Sequence, residues 1–192
     1  MSAPESLAAV EQALAEHFAQ RPARASVSFV GVEAIEVLRF EPIPGERAYV
    51  SLGMSRHPMT AASEVLVGDD GPRAELLVHV HDHPGHGDVL WRQLAVLAAA
   101  PAVEGVVYVA GMTVDLGRPL APGSRCTGGL VVEAPLAAIE TPAGPVAMLQ
   151  VIPVTSTELA WCRVHGAAAL RDRWAATPTD LLDLGRRAVA LD

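Results

Sequence analysis

The residues best equipped for chemistry lie in one short run, His79-Val80-His81-Asp82-His83-Pro84-Gly85-His86. His79, His81 and His83 recur with the period of a β-strand and would share one face of it. Three imidazoles on one face, joined by Asp82 or His86 from the following turn, are able to hold zinc or another borderline metal. Strand neighbours two apart, however, stand roughly 6.5–7 Å from each other. A tetrahedral ion also usually draws its ligands from more than one segment. The competing reading is a solvent-facing strand surface backed by buried Leu76, Val78 and Val80, and the sequence favours it. Unmetallated, the same histidines would titrate near neutral pH at an interface. A metal-dependent enzyme or metal-binding protein using His79, His81, His83 and His86 is therefore the alternative function, and no cofactor is expected under the favoured one. Cys162 and His165, three apart on a predicted helix, are the elements of a thiol nucleophile, but Cys162 falls on the apolar face and reads as core. Gly128-Gly129 and Gly111 match no phosphate-cradling spacing, and Gly117, Gly123 and Gly128 read as turn residues. No carboxylates are paired as acid and base.

Composition excludes more than it assigns. All 14 basic residues are arginine, and neither lysine nor asparagine occurs, a bias expected of a GC-rich bacterial genome. Schiff-base and phosphate-loop lysine chemistry drop out. A formal charge of −8 argues against nucleic acid, whose phosphates demand a basic face, and suits a basic protein partner through long-range steering. Apolar residues make up 51% of the chain, yet no run approaches the ~20 residues of a membrane span. With no secretory signal pattern at the N-terminus and two well-separated cysteines, a cytoplasmic protein without disulfides is the expectation.

The elements that would carry these residues can be placed from periodicity. Leu7, Val10, Leu14 and Phe18 give a first helix over residues 5–19. Strands are expected at 26–31, 35–42, 47–54 and 73–82, with a reversal at Gly68-Asp69-Asp70-Gly71-Pro72. A helix over 88–100 should stop at Pro101. The stretch 103–122 is irregular, with short strands at 106–109 and near Met112. Strands at 127–133 and 145–152 follow. Thr155 or Ser156 then starts a helix with Glu158 completing a capping box, bent at Gly166, and Thr179-Asp180 starts a last helix to Val189. Runs of strands broken by few helices point to a single domain of the α+β class, a mixed and largely antiparallel sheet with helices packed mainly on one face.

Four segments carry a resemblance: Tyr49-Val50-Ser51-Leu52-Gly53-Met54-Ser55; Ala74-Glu75-Leu76-Leu77-Val78; Leu149-Gln150-Val151-Ile152-Pro153-Val154 leading to Glu158-Leu159; and Asp183-Leu184-Gly185-Arg186-Arg187. In order and spacing they resemble the Suppressor of Fused domain family across residues 5–190. The resemblance implies a non-enzymatic module that binds a protein partner. Eukaryotic members hold a transcription factor through an extended peptide, by strand addition, and bacterial relatives are associated with toxin systems as immunity proteins. Leu97 and Met112 stand where the eukaryotic protein carries an aromatic residue and an acid for its peptide, a departure that disfavours a transcription-factor clamp and leaves toxin neutralisation. Gly53 permits a bulge or close backbone approach, and the loop Arg56-His57-Pro58-Met59 after it is the first interface candidate. Met54, Met59 and Met112 would supply either adaptable contacts or core filling. Arg186 and Arg187 would pair with acidic core or interface groups such as Asp183, or serve helix-end electrostatics.

Overall fold

The computed structural model describes residues 3–62 and 71–191. Helix α1 (Ala3–His17) leads into strands β1 (Ala23–Phe29), β2 (Val32–Phe40), β3 (Glu46–Leu52) and β4 (Arg73–His81). Helix α2 (Gly87–Glu104), strands β5 (Thr113–Asp115), β6 (Cys126–Glu133) and β7 (Val146–Thr155), and helices α3 (Ser156–His165) and α4 (Ala167–Ala176) complete the order. Seven strands form one sheet in the order β1-β2-β3-β4-β7-β6-β5. Every pairing is antiparallel except β4 with β7, which run parallel from Arg73 opposite Val146 to Leu77 opposite Gln150. This is the α+β class expected from the sequence.

Alternation along the strands sorts the core onto two faces. Ile35, Val37, Tyr49, Leu76, Val78, Leu149 and Val151 meet Leu90, Leu94 and Ala98 of α2. The opposite residues, Leu38, Phe40, Ala48, Val50 and Leu77, meet Val10 and Leu14 of α1, and Phe18 stacks on Phe40 at 4.3 Å. Further along that second face, Leu130 and Val154 receive Leu159, Cys162, Leu170 and Trp174 of α3 and α4. Three helices thus share one face, and the longest covers the other.

Four expectations fail locally, three of them for a physical reason. Helix α2 runs through Pro101 to Glu104. Proline there removes the N–H that Leu97 C=O would accept, and the Tyr108 hydroxyl replaces it at 2.8 Å. Residues 179–189 form consecutive turns instead of a helix. Asp180 and Asp183 accept from the N–H groups of Leu182 and Gly185, the local bonding by which aspartate competes with helix. Distant partners hold the same turns, since Leu182 C=O accepts from His81 N–H and Leu184 C=O from Arg125 N–H. Gly128 lies inside β6, not in a turn, and a Cβ there would overlap the Val114 carbonyl oxygen. No strand forms at 106–109. Of the reversal expected at 68–72, residues 68–70 lie outside the described residues.

Candidate functional site

The histidine run does not converge. β4 ends at His81, so His79 and His81 share its face while His83 and His86 sit beyond it. His79 Nε2 lies 2.7 Å from Glu46 Oε2, without the alignment of a hydrogen bond. His81 Nε2 meets Asp180 at 2.7 Å, and this bond is the main reason the Asp180 carboxyl lies below its usual range. His83 and His86 stack at 4.3 Å, with His86 Nε2 donating to Pro122 C=O at 3.0 Å. Among the described residues no three histidine, cysteine, aspartate or glutamate side chains come together as metal ligands. Nor do the thiols gather a base. Burial pushes Cys126 up to about 11 and also raises Cys162, while His165 stacks on Trp161 at 4.2 Å.

Two buried carboxylates organise the segments that carry the resemblance. Glu75 on β4 is fully buried. Its Oε1 accepts from Gly53 N–H at 2.8 Å, Ser55 N–H at 3.0 Å and the Ser55 hydroxyl at 2.7 Å, and its Oε2 from the Ser51 hydroxyl at 2.5 Å. The loop can present these donors because Gly53 adopts φ 129°, open only to glycine at low cost. Glu158 of α3, equally buried, accepts from Arg186 at 2.7 and 2.9 Å, from Trp174 Nε1–H at 3.0 Å and from Thr155 N–H at 2.9 Å. Burial alone would raise its carboxyl, but Arg186, the Thr155 N–H and Trp174 together hold it below the ordinary range. The expected capping box is present, Thr155 Oγ1 accepting from Glu158 N–H.

This geometry divides the residues singled out from the sequence. Met54, Met59 and Leu97 are core, and Arg186 is the buried partner of Glu158 instead of Asp183. Arg187 is exposed. Gly53, Met54, Arg56 and His57 line a cleft of about 300 Å³ against Ala98 and Pro101 of α2, where Glu33 faces Arg56 at 3.6 Å and His57 at 3.1 Å. Met112 precedes β5 at the far edge of the sheet.

That edge is open among the described residues. Val131 N–H donates to Met112 C=O and Leu116 N–H to Thr127 C=O. By the two-residue alternation of an antiparallel ladder, Met112, Val114 and Leu116 therefore face β6, and the backbone groups of Thr113 and Asp115 face outward. Beside the Gly111 end of the edge lies a groove of about 680 Å³, floored by Val132, Gln150 and Ile152 and walled by Glu133 and by Ala167 and Arg171 of α4. Sequence reasoning singled out Met112 but did not anticipate the groove, whose walls are far apart along the chain.

A mixed sheet of this order, clad by three helices on one face and one on the other, with an unpaired terminal edge beside a groove, defines an α+β scaffold of the Suppressor of Fused type. The chain belongs to that family, since the model described as Suppressor of fused protein (SUFU) matches residues 31–187. Three solved structures share the fold. A SUFU homologue from Neisseria gonorrhoeae is 19% identical, with TM-score 0.68, over 96% of this chain and 97% of that one. Drosophila Suppressor of Fused is 16% identical, with TM-score 0.72, over 95% of this chain and 50% of that one. A chain of a Sufu–Fu complex is 16% identical, with TM-score 0.66, over 93% of this chain and 86% of that one. A search of the curated proteins gives no match.

Proposed function

We propose that this chain is a non-catalytic protein-binding module that takes an extended segment of its partner along the β5 edge. The observation that carries the reading is the outward-facing backbone of Thr113 and Asp115 beside the Gly111 groove, a ladder end joined to a place for alternate side chains. Family membership supports it, as does the solved complex of a relative, Sufu with Fu. Met112 opens the edge, and Arg56 and His57 rim the cleft at the opposite side as a further contact. The chain's charge of −8 favours a basic partner, and the finer reading is an immunity protein that neutralises a toxin domain in the cytoplasm. Among the described residues no helix is long and apolar enough to cross a membrane.

The test is capture of proteins from cells that naturally make the chain, comparing wild type with Thr113→Pro. Proline deletes the outward N–H at an edge position that tolerates it. A partner held by wild type and lost by Thr113→Pro is the expected result. Equal capture by both moves the interface elsewhere, and capture by neither counts against a binding module. For the finer reading, the product of the neighbouring gene is expressed alone and with this chain. Growth arrest relieved by wild type but not by Thr113→Pro is expected, and absence of arrest removes the toxin reading.

A further inference from the structure

At the edge of the sheet opposite β5, a second cleft of about 200 Å³ lies between the first turn of α2 and the face formed by β1, β2 and β3. The small side chains of Ala23 and Ala25 of β1 line it together with Trp91 of α2. Its most buried polar side chain is Tyr49. The side chain is 3% exposed, and its hydroxyl stands beside Gly87, 3.3 Å from where a Cβ on that glycine would lie. Among the described residues this hydroxyl has no hydrogen-bond partner, and it opens on the cleft, so its partner is whatever occupies the cleft, water or a ligand group.

The other groups around the cleft are mostly donors. Arg39 is exposed at its mouth and makes no ion pair with any described residue. Arg24 is already engaged by Glu11 and Glu36. Arg92 lies over the Trp91 ring at 5.0 Å and adds positive potential to the same wall. The N–H groups of Gly87 and Asp88 open α2, and within the described residues no acceptor meets them, because the turn closes with Val89 and Leu90 donating to His86 C=O. Asp88 is the single acid lining the cleft among the described residues. The nearby Asp82 is paired with Arg47 at 2.6 Å.

We propose that this cleft is a second binding site, which takes a carboxylate side chain from an acidic, extended segment of a protein partner lying beside the β1 edge. Tyr49 and Arg39 donate to the carboxylate, the helix N-terminus favours its charge, and Trp91 packs on its methylenes. The volume fits one side chain. β1 ends the sheet, so a partner segment has backbone to follow into it. Asp88 opposes the anion and sets a ceiling on affinity.

The full chain is titrated with a terminally blocked heptapeptide of alternating valine and glutamate, followed by NMR at the Trp91 indole N–H, which is assigned from Trp91→Phe. Saturable shifts are expected, weakened about tenfold or more by Arg39→Gln, several-fold by Tyr49→Phe, and strengthened by Asp88→Asn. Because Arg39 is exposed, its variant tests the site even if Tyr49→Phe disturbs the core. Thr113→Pro should leave this binding unchanged, so failure here is separable from failure at the β5 edge. The proposal is overturned if the glutamine version of the peptide binds equally well, if Asp88→Asn weakens binding, or if acetate or inorganic phosphate matches the peptide in affinity.

Discussion

Replacing Arg186 by methionine should be among the most damaging single changes available outside the strands. Arg186 supplies Glu158 with two charge-assisted hydrogen bonds, 2.7 and 2.9 Å long, at a carboxylate with no exposure to solvent. Methionine fills much of the arginine stem's volume but leaves that carboxylate with only Trp174, Thr155 and a long bond of 3.4 Å from Val189 N–H. Breaking a buried pair on one side costs about 3–5 kcal/mol, out of a total stability on the order of 5–15 kcal/mol. For a chain of this size that corresponds to a fall in Tm of roughly 6–20 °C. The pH dependence should change sign as well. In wild type the Glu158 carboxyl lies below its ordinary value of 4.5, so its contribution is complete above that pH and is lost as pH falls through the folded value. Without Arg186, burial dominates and the carboxyl is raised, so the variant should gain stability between pH 7 and pH 5. Urea unfolding followed by circular dichroism at several pH values measures both effects. The double variant with Glu158→Gln should lose less than the sum of the single changes. A loss below about 1 kcal/mol, or a variant with the wild-type pH profile, would refute the reasoning, since a desolvated pair cannot be that cheap to break.

Glu75→Gln should cost about 2–3 kcal/mol, because an amide cannot accept from all four donors of the Ser51–Ser55 loop. Amide exchange at Gly53 and Ser55 should quicken, with Trp174 undisturbed, and unchanged exchange would show that the loop stands without its carboxylate. Gly128→Ala should push β5 off β6 through the Val114 carbonyl, seen as selective loss of protection at Leu116, and full protection there would contradict the close approach. Both thiols should resist an aromatic disulfide reagent in the folded chain and react together on unfolding, since Cys126 and Cys162 are buried and raised. Rapid labelling of either in native protein would contradict that burial.

What the sequence made legible was local. The period of Leu7, Val10 and Leu14 announces a helix with a buried stripe, and Thr155 with Glu158 announces a cap, because both depend on residues within a turn or two. Where neighbours distant in the chain decide, the reading failed. Pro101 stops no helix because Tyr108, folded back, satisfies Leu97. The tail over 179–189 is not helical because its carbonyls are taken by His81 and Arg125. For the histidines the sequence favoured a solvent-facing strand surface, but it did not show that Glu46, Asp180 and Pro122 lie against them from other segments. The segments carrying the resemblance were visible, but not that they meet in pairs, Glu75 with Ser51 to Ser55 and Glu158 with Arg186, 28 positions apart. Tyr49 lay inside one of those segments, and its hydroxyl became part of a cleft only once α2 packed against the sheet.

The single parallel joint between β4 and β7 also governs how the molecule assembles during synthesis. β1 to β4 are linked by antiparallel pairings and can zip up as they leave the ribosome, but β4 then waits for a strand that begins only at Val146. Loop closure over that distance makes the joint slow to form. Until it forms, Leu76 and Leu77, central in the finished sheet, lie on an uncovered margin. Chains stalled between these two strands should therefore be the aggregation-prone species, and helper proteins that shield nascent sheets should act in that interval.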